Sequence, residues 1–274
     1  MNAEVARMPA SITVGVDGFP ESPRAAHWAA REALLRDLRL RLVHAWPPLS
    51  PAARTLPHED APDHWAQRLL TDLVGELHDA YPGLRVTAEL VPQAPVPALL
   101  AAARDAEMLV LGSRGRGTPG GFLLGSTGRH VLAHGERPVI MVHADDSPLT
   151  ADVAVGVSLP EPDEEPLRFA FDAAARRGGA LRAVHAGASG PQDEEANALG
   201  EALRPWREKY PGVPVAETLS AERAPLGVVH AVPGSGLLVL GRAETEPGPV
   251  PQLGSVVHAA VHHAPCPVAV VPCG

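Results

Sequence analysis

Lysine is all but missing from this chain. Lys209 stands alone in a positive set otherwise made of arginine. A lysine-based phosphate grip or Schiff-base site is thereby nearly excluded, and no Gly-Lys-Ser/Thr follows a glycine loop as the Walker A motif requires. Cysteine is almost as scarce: Cys266 and Cys273 fit free thiols of a reducing compartment better than a disulfide framework. No apolar run approaches the roughly 18 residues that span a bilayer. The opening residues 1–11 carry Glu4 and Arg7 and no apolar stretch, so they read as a short tail and not a signal peptide. The expected location is cytoplasmic. Positive charge is in deficit, with a net charge of −9, which argues against a broad footprint for nucleic acid or an anionic membrane. No Gly-x-Ser-x-Gly elbow occurs, so a hydrolase triad has no anchor.

What the chain does have is a duplication. Its 274 residues suffice for two ordinary domains, each with its own core. Val14-Gly15-Val16-Asp17 recurs as Val155-Gly156-Val157-Ser158, and Leu42-Val43-His44-Ala45 as Ala183-Val184-His185-Ala186, both 141 positions on. Tyr81-Pro82-Gly83, Leu109-Val110-Leu111-Gly112 and Leu124-Gly125-Ser126 recur 129 positions on, as Tyr210-Pro211-Gly212, Leu238-Val239-Leu240-Gly241 and Leu253-Gly254-Ser255. The offset drops once, where the first copy carries the proline-rich stretch Trp46-Pro47-Pro48-Leu49-Ser50-Pro51. One loop deletion explains that, and the repeat implies domains at 10–145 and 150–274 joined through Asp145-Asp146-Ser147-Pro148.

Short β-rich apolar runs alternate with helical stretches in each copy. In the first, strands are expected at 12–16, 39–45, 85–91, 108–112 and 138–143, apolar along their length as parallel strands covered on both faces should be. Helices are expected at 22–36, about 62–80, 96–105 and 125–133, with Ser22-Pro23 read as an N-cap and a proline in the first helical position. The second copy repeats the strands at about 152–158, 181–186, 213–219, 237–241 and 267–272. The fold class is therefore α/β: two tandem doubly wound, five-stranded parallel sheets with right-handed crossovers.

The chemistry concentrates after the fourth strand, in the loop from Gly112 to Thr127. It holds many glycines, two arginines (Arg114 and Arg116) and no acid, and it runs into a helix near Gly125. Glycines let backbone N–H groups approach a ligand, and a helix N-terminus adds unpaired donors and positive potential. With the hydroxyls of Ser126 and Thr127 this suits a polyphosphate. Gly115-x-Gly117-x-x-Gly120 matches the dinucleotide fingerprint literally, but Pro119 lies inside it and the helix starts five residues later. That match is read as accidental.

Gly112-x₂-Gly115-x₉-Gly125-Ser126 is similar to the ATP-binding motif of the universal stress protein family. The resemblance extends over nearly the whole chain, from Val14-Gly15-Val16-Asp17-Gly18 to His263-Ala264-Pro265-Cys266-Pro267-Val268. It implies a Rossmann-like sheet of strand order 3-2-1-4-5, with the ligand crevice where the order reverses between strands 1 and 4. It further implies that Asp17 binds ribose or adenine, that the Val43 backbone pairs with adenine, and that Gly112, Gly115, Gly125, Ser126 and Thr127 hold the phosphates, with Arg114 or Arg116 within reach. The implied cofactor is ATP, with or without Mg²⁺. Members of the family pair through their last strands, so the two copies are expected to pair within one chain, 138–143 against 267–272, imitating a dimer; two chains could then associate further.

The second copy departs from the motif. Ser158 replaces Asp17, Glu244 replaces Gly115, and the loop carries Glu246, Pro247, Pro249 and Pro251. Proline offers no N–H to a phosphate, and a carboxylate about 4 Å from a phosphate charge costs roughly 4 kcal/mol at an effective dielectric near 20. A nucleotide is therefore expected in the first copy alone. His258/His262 and His130/His134 sit four apart on helices, but no third ligand or placed Glu completes a zinc site, so no metal is assigned. His44 and His185 read as structural or pocket-lining, and Trp28 and Trp65 as core or interface anchors on helix faces. No acid–base pair stands out, so no catalytic residue is named. The expected function is a regulatory, ATP-binding stress-response protein with an unidentified protein partner. Two alternatives are a non-nucleotide interaction module, in which the glycine loop is a relic, and a slow ATPase.

Overall fold

The structure is a computed structural model that describes residues 10–47, 62–118, 121–143, 150–187, 191–242 and 252–273; at 62–63, 114–118 and 121–123 it describes the backbone alone. The first half runs β1 (Ser11–Gly15), α1 (Glu21–Arg36), β2 (Arg39–Ala45), α2 (Pro62–Ala80), β3 (Val86–Val91), α3 (Pro95–Arg104), β4 (Met108–Gly112), β5 (Arg114–Thr118), β6 (Gly121–Leu123), α4 (Ser126–His134) and β7 (Val139–Val142). The second runs β8 (Val153–Gly156), α5 (Glu164–Arg177), β9 (Leu181–Ala186), α6 (Gln192–Lys209), β10 (Val215–Ser220), α7 (Ala224–Ala231), β11 (Leu237–Arg242), α8 (Ser255–His263) and β12 (Val268–Pro272).

Ten strands form one sheet in the order β10-β9-β8-β11-β12-β7-β4-β1-β2-β3. Each half is parallel within itself and follows the expected 3-2-1-4-5 order. The halves meet where β12 pairs antiparallel with β7, setting Val268 against Met141, Ala269 against Ile140 and Val270 against Val139. The expected intrachain pairing of last strands is thus present. Linker residues 145–148 lie outside the described residues.

Two-residue periodicity sorts the buried side chains onto the sheet's two faces. Ile12, Val14, Met108, Val110, Ile140 and Val142 join one core with α1, α2, α5 and α6. Leu109, Leu111, Val139 and Met141 join the other with α3, α4, α7 and α8. Helix α1 lies close on the sheet because Ala25, Ala26, Ala29, Ala30 and Ala33, all fully buried, keep that stripe narrow. The edge strands depart from expectation. β3 exposes Thr87, Ala88 and Glu89, and β10 exposes Ala216 and Glu217, because an edge strand lacks a neighbour and part of its helical cover.

On the face carrying α1 and α5, a second set of contacts binds the halves. Glu32, 2 % exposed, accepts from Arg36 Nε at 2.7 Å and from Arg177 Nη2 at 2.8 Å, and Arg36 Nη1 donates to Asp172 Oδ2 at 2.9 Å. Arg36 lies over the Phe169 ring and Arg177 over the Trp28 ring, each 5.5 Å from the centroid. Arg36 and Arg177 are equivalent in the repeat, as are Trp28 and Phe169, so the two cation–π contacts are reciprocal. Trp28 is an interface anchor, as expected.

Candidate functional site

The strand order reverses between β1 and β4, and a cavity of about 290 Å³ opens there at the carboxyl ends of the strands. It is bounded by the ends of β1 and β2, the turn before α1, α3, the end of β4, β7 at Met141 and the first turn of α4. Leu99 and Leu111 form an apolar wall, and Gly15 lies against them: a Cβ there would stand 2.5 Å from Leu111 Cδ2. Gly112 is glycine for a packing reason too, since its Cβ would stand 2.9 Å from the Glu21 backbone at the start of α1.

Gly125 differs from both. A Cβ there would meet nothing within 4 Å, so the fold of the chain does not itself require glycine at that place. It is the N-cap of α4, in extended conformation and without a side-chain cap bond. The first-turn donors of α4, at Ser126, Thr127 and Gly128, line the cavity. An uncapped helix N-terminus on a cavity favours an anion through unpaired N–H groups and the helix dipole.

Asp17 faces this helix end across the cavity, held by its neighbours. Ser22 Oγ donates to Asp17 Oδ1 at 2.6 Å, the Phe19 N–H donates to the same oxygen at 3.1 Å, and the Asp17 N–H donates to Ser22 Oγ at 3.1 Å. No hydrogen bond among the described residues engages Oδ2. The carboxylate is thereby oriented with one oxygen committed and one open. Ser22 is consequently not the N-cap of α1: the helix starts at Glu21 after Pro20, and the hydroxyl reaches back to Asp17 because that acceptor is charged.

The structure brings Asp17, Val43, Gly112, Gly125, Ser126 and Thr127 together around one cavity. The Val43 carbonyl already accepts from the Val16 N–H at 2.9 Å. Arg114, Gly115 and Arg116 belong to β5, which pairs antiparallel with β6 as a small ribbon inside the glycine loop. That ribbon was not expected from so glycine-rich a stretch. The side chains of Arg114 and Arg116 lie outside the described residues.

Sequence reasoning missed Ser22 and Phe19, both signalled only by their nearness to Asp17. His44 is structural: its Nδ1 lies 2.7 Å from the Val16 carbonyl at the end of β1, and His185 repeats this with Val157 at 2.9 Å. Trp65 is a correction. It is 48 % exposed, not a core anchor, and packs edge-on to His44 with ring centroids 5.7 Å apart, beside Gly18. A glycine with φ of 82° at that turn leaves room for the indole, where a Cβ would stand 2.4 Å from it. Among the described residues no group of three His, Cys, Asp or Glu side chains could hold a metal, and no helix is long and apolar enough to cross a membrane. His130 and His134 each place Nδ1 2.8 Å from the carbonyl four residues earlier.

The second half has an equivalent cavity of about 370 Å³. Ser158 stands where Asp17 does, but Asp163 stands where Ser22 does, so acid and hydroxyl have exchanged places. Asp163 turns toward β11: a Cβ on Gly241 would stand 3.2 Å from its Oδ2. Cys273 Sγ donates to that oxygen at 3.0 Å, and burial together with Asp163 pushes the thiol up to about 12, so it stays a neutral donor. Residues Glu244, Glu246, Pro247, Pro249 and Pro251 lie outside the described residues.

A family model described as the universal stress protein family matches residues 8–143. Universal stress protein Rv2005c of Mycobacterium tuberculosis is 35% identical over 286 residues, covering 94% of this chain and 96% of the relative. Universal stress protein Rv2623 of the same organism is 33% identical over 255 residues, covering 84% and 85%. The crystal structure of a universal stress protein from Archaeoglobus fulgidus is similar at a TM-score of 0.74 and 17% identity, covering 96% of this chain and 98% of that one. This last likeness bears on the fold.

Proposed function

The chain belongs to the universal stress protein family, and from that premise we propose that it is a regulatory ATP-binding protein whose nucleotide occupies the first half. The observation that carries this reading is the cavity between an oriented Asp17 carboxylate and the uncapped N-terminus of α4. A ribose hydroxyl donates to the open oxygen of Asp17. The base lies on the Leu99–Leu111 wall against the backbone at Val43. The phosphates take the first-turn donors of α4, the hydroxyls of Ser126 and Thr127 and the backbone at Gly112 and Gly115, with Arg114 and Arg116 as the candidate counter-charges. Gly125 keeps the approach to the helix end clear. Mg²⁺ arriving with ATP would offset phosphate charge, held beside the hydroxyls of Ser126 and Thr127.

Calorimetric titration of the purified chain with ATP and Mg²⁺ tests this, after confirming that no nucleotide co-purifies. The expected result is one site per chain, lost in Asp17→Ala and in Gly115→Glu. Absence of both binding and co-purified nucleotide would discard the reading.

A further inference from the structure

The second cavity keeps the walls of the first and changes its anion end. Val184, Ala186 and Leu240 stand where Val43, Ala45 and Leu111 do, and Gly156 meets Leu240 Cδ2 as Gly15 meets Leu111. Two places in that apolar slot differ, Val228 for Leu99 and Ala224 for Pro95, each a smaller side chain that leaves more room. The cavity has not filled in. It is the larger of the two, about 370 Å³ against 290 Å³, within the range that small-molecule sites occupy.

At the other end the changes share one direction. Val256 replaces Thr127 and removes a hydroxyl donor; Val257 replaces Gly128 and adds bulk to the first turn of α8. Asp163 sets a carboxylate beside Gly241, the place equivalent to Gly112. Ser158, in the place of Asp17, and Ser255, in the place of Ser126, line the cavity as neutral hydroxyls. Such a site has a slot for a flat, mostly apolar body and acceptors for hydroxyl or amino groups. The α8 N-terminus, uncapped at Gly254 as α4 is at Gly125, still offers donors, but the Asp163 carboxylate beside Gly241 opposes a polyanion.

We propose that the second cavity is a working site for a nucleoside without phosphates, with Asp163 accepting from its hydroxyl or amino groups and excluding its phosphorylated forms. This takes the nucleotide reading of the first cavity as its starting point, because the shared walls are what identify the class of ligand. A carboxylate about 4 Å from a phosphate charge weakens binding between about fivefold and about a thousandfold, from bulk-water to surface-like dielectric.

The test is methyl NMR of the full chain titrated with adenosine, guanosine, cytidine and uridine, and separately with their 5′-triphosphates. Methyls of Val184, Val228, Leu240 and Val256 report the second cavity; those of Leu99 and Leu111 report the first. At least one nucleoside is expected to shift the second set, with its triphosphate at least about fivefold weaker there, and Asp163→Asn is expected to shrink that gap. Equal affinity of nucleoside and triphosphate at the second set, or no shift there with any of the four nucleosides up to their solubility, overturns the proposal. Silence of Leu99 and Leu111 toward every triphosphate would instead count against the first-cavity reading, so the two failures are separable.

Discussion

Asp37 and Gly178 hold the same place in the two halves, just past the ends of α1 and α5, and both are left-handed, with φ of 52° and 65°. Glycine adopts that conformation without Cβ strain, whereas aspartate tolerates it at a cost. Relief of about 1–2 kcal/mol of left-handed strain outweighs the roughly 0.4–1 kcal/mol that glycine costs through unfolded-chain entropy. Asp37→Gly is therefore expected to raise the unfolding free energy by about 0.5–1 kcal/mol in chemical denaturation. A loss of stability would show that the carboxylate makes a compensating contact. Ser22 carries a functional expectation. Its hydroxyl fixes Asp17 Oδ1 at 2.6 Å, so Ser22→Ala should weaken ATP binding about fivefold, near the value of one hydrogen bond, while leaving the fold intact. Unchanged affinity in titration would mean that the Phe19 N–H orients Asp17 alone. Neither role was legible in the sequence. Ser-Pro before an alanine-rich run is a strong local cap signal, and the competing acceptor five residues earlier becomes decisive only when the turn at Gly18 folds it back. Trp65 was misread for a similar reason: helical periodicity gives a face, but not which part of that face the sheet reaches.

At the scale of elements the sequence was more informative. β2, β4 and β9 fall on the expected bounds because each carries a run of buried apolar residues. These are Leu40, Leu42 and Val43 in β2, Met108, Leu109, Val110 and Leu111 in β4, and Leu181, Ala183 and Val184 in β9, with Trp46-Pro47, Gly112 and Gly187 marking the ends. The edge strands were recognisable as strands but not as edges, since Val86–Val91 and Val215–Ser220 alternate only weakly. The β5–β6 ribbon was illegible because Arg-Gly alternation over 114–117 offers no apolar face and glycine disfavours strands. The pair α1–α5 was not foreseeable either: Glu32 looks like any helix acid, yet it is buried between Arg36 and Arg177, which are 6 % and 11 % exposed. Removing Glu32 takes from the mostly buried Arg177 the carboxylate it donates to and leaves Arg36 with Asp172 alone. Glu32→Ala is expected to cost about 3 kcal/mol in denaturant unfolding, although alanine is the better helix former. A cost under about 1 kcal/mol would place the cluster with exposed ion pairs.

At the scale of the molecule, two repeats become one ten-stranded sheet, and its seam carries a titratable group from each side. His143 follows β7 and is buried; its Nδ1 lies 2.8 Å from Ser113 Oγ, and His262 of α8, from the other half, contributes positive potential when protonated. Burial first, and His262 second, lower the His143 imidazole from 6.5 to about 4. The sign follows from linkage. Above pH 6.5 the ring is neutral folded or unfolded, and it contributes no pH dependence. As pH falls from 6.5 toward 4 the unfolded chain takes up a proton that the folded chain refuses, so stability falls through that window and the effect levels off below it. At pH 4.5 the loss from this one group is about 2–3 kcal/mol. His143→Gln keeps a partner for Ser113 and cannot titrate. Between pH 7 and 4.5 its unfolding free energy should fall by about 2–3 kcal/mol less than that of the wild type, the carboxylates being common to both. Equal falls would show that the seam opens to water before the imidazole is protonated, and that the two halves are held at this point by β7 against β12 and not by the histidines beside it.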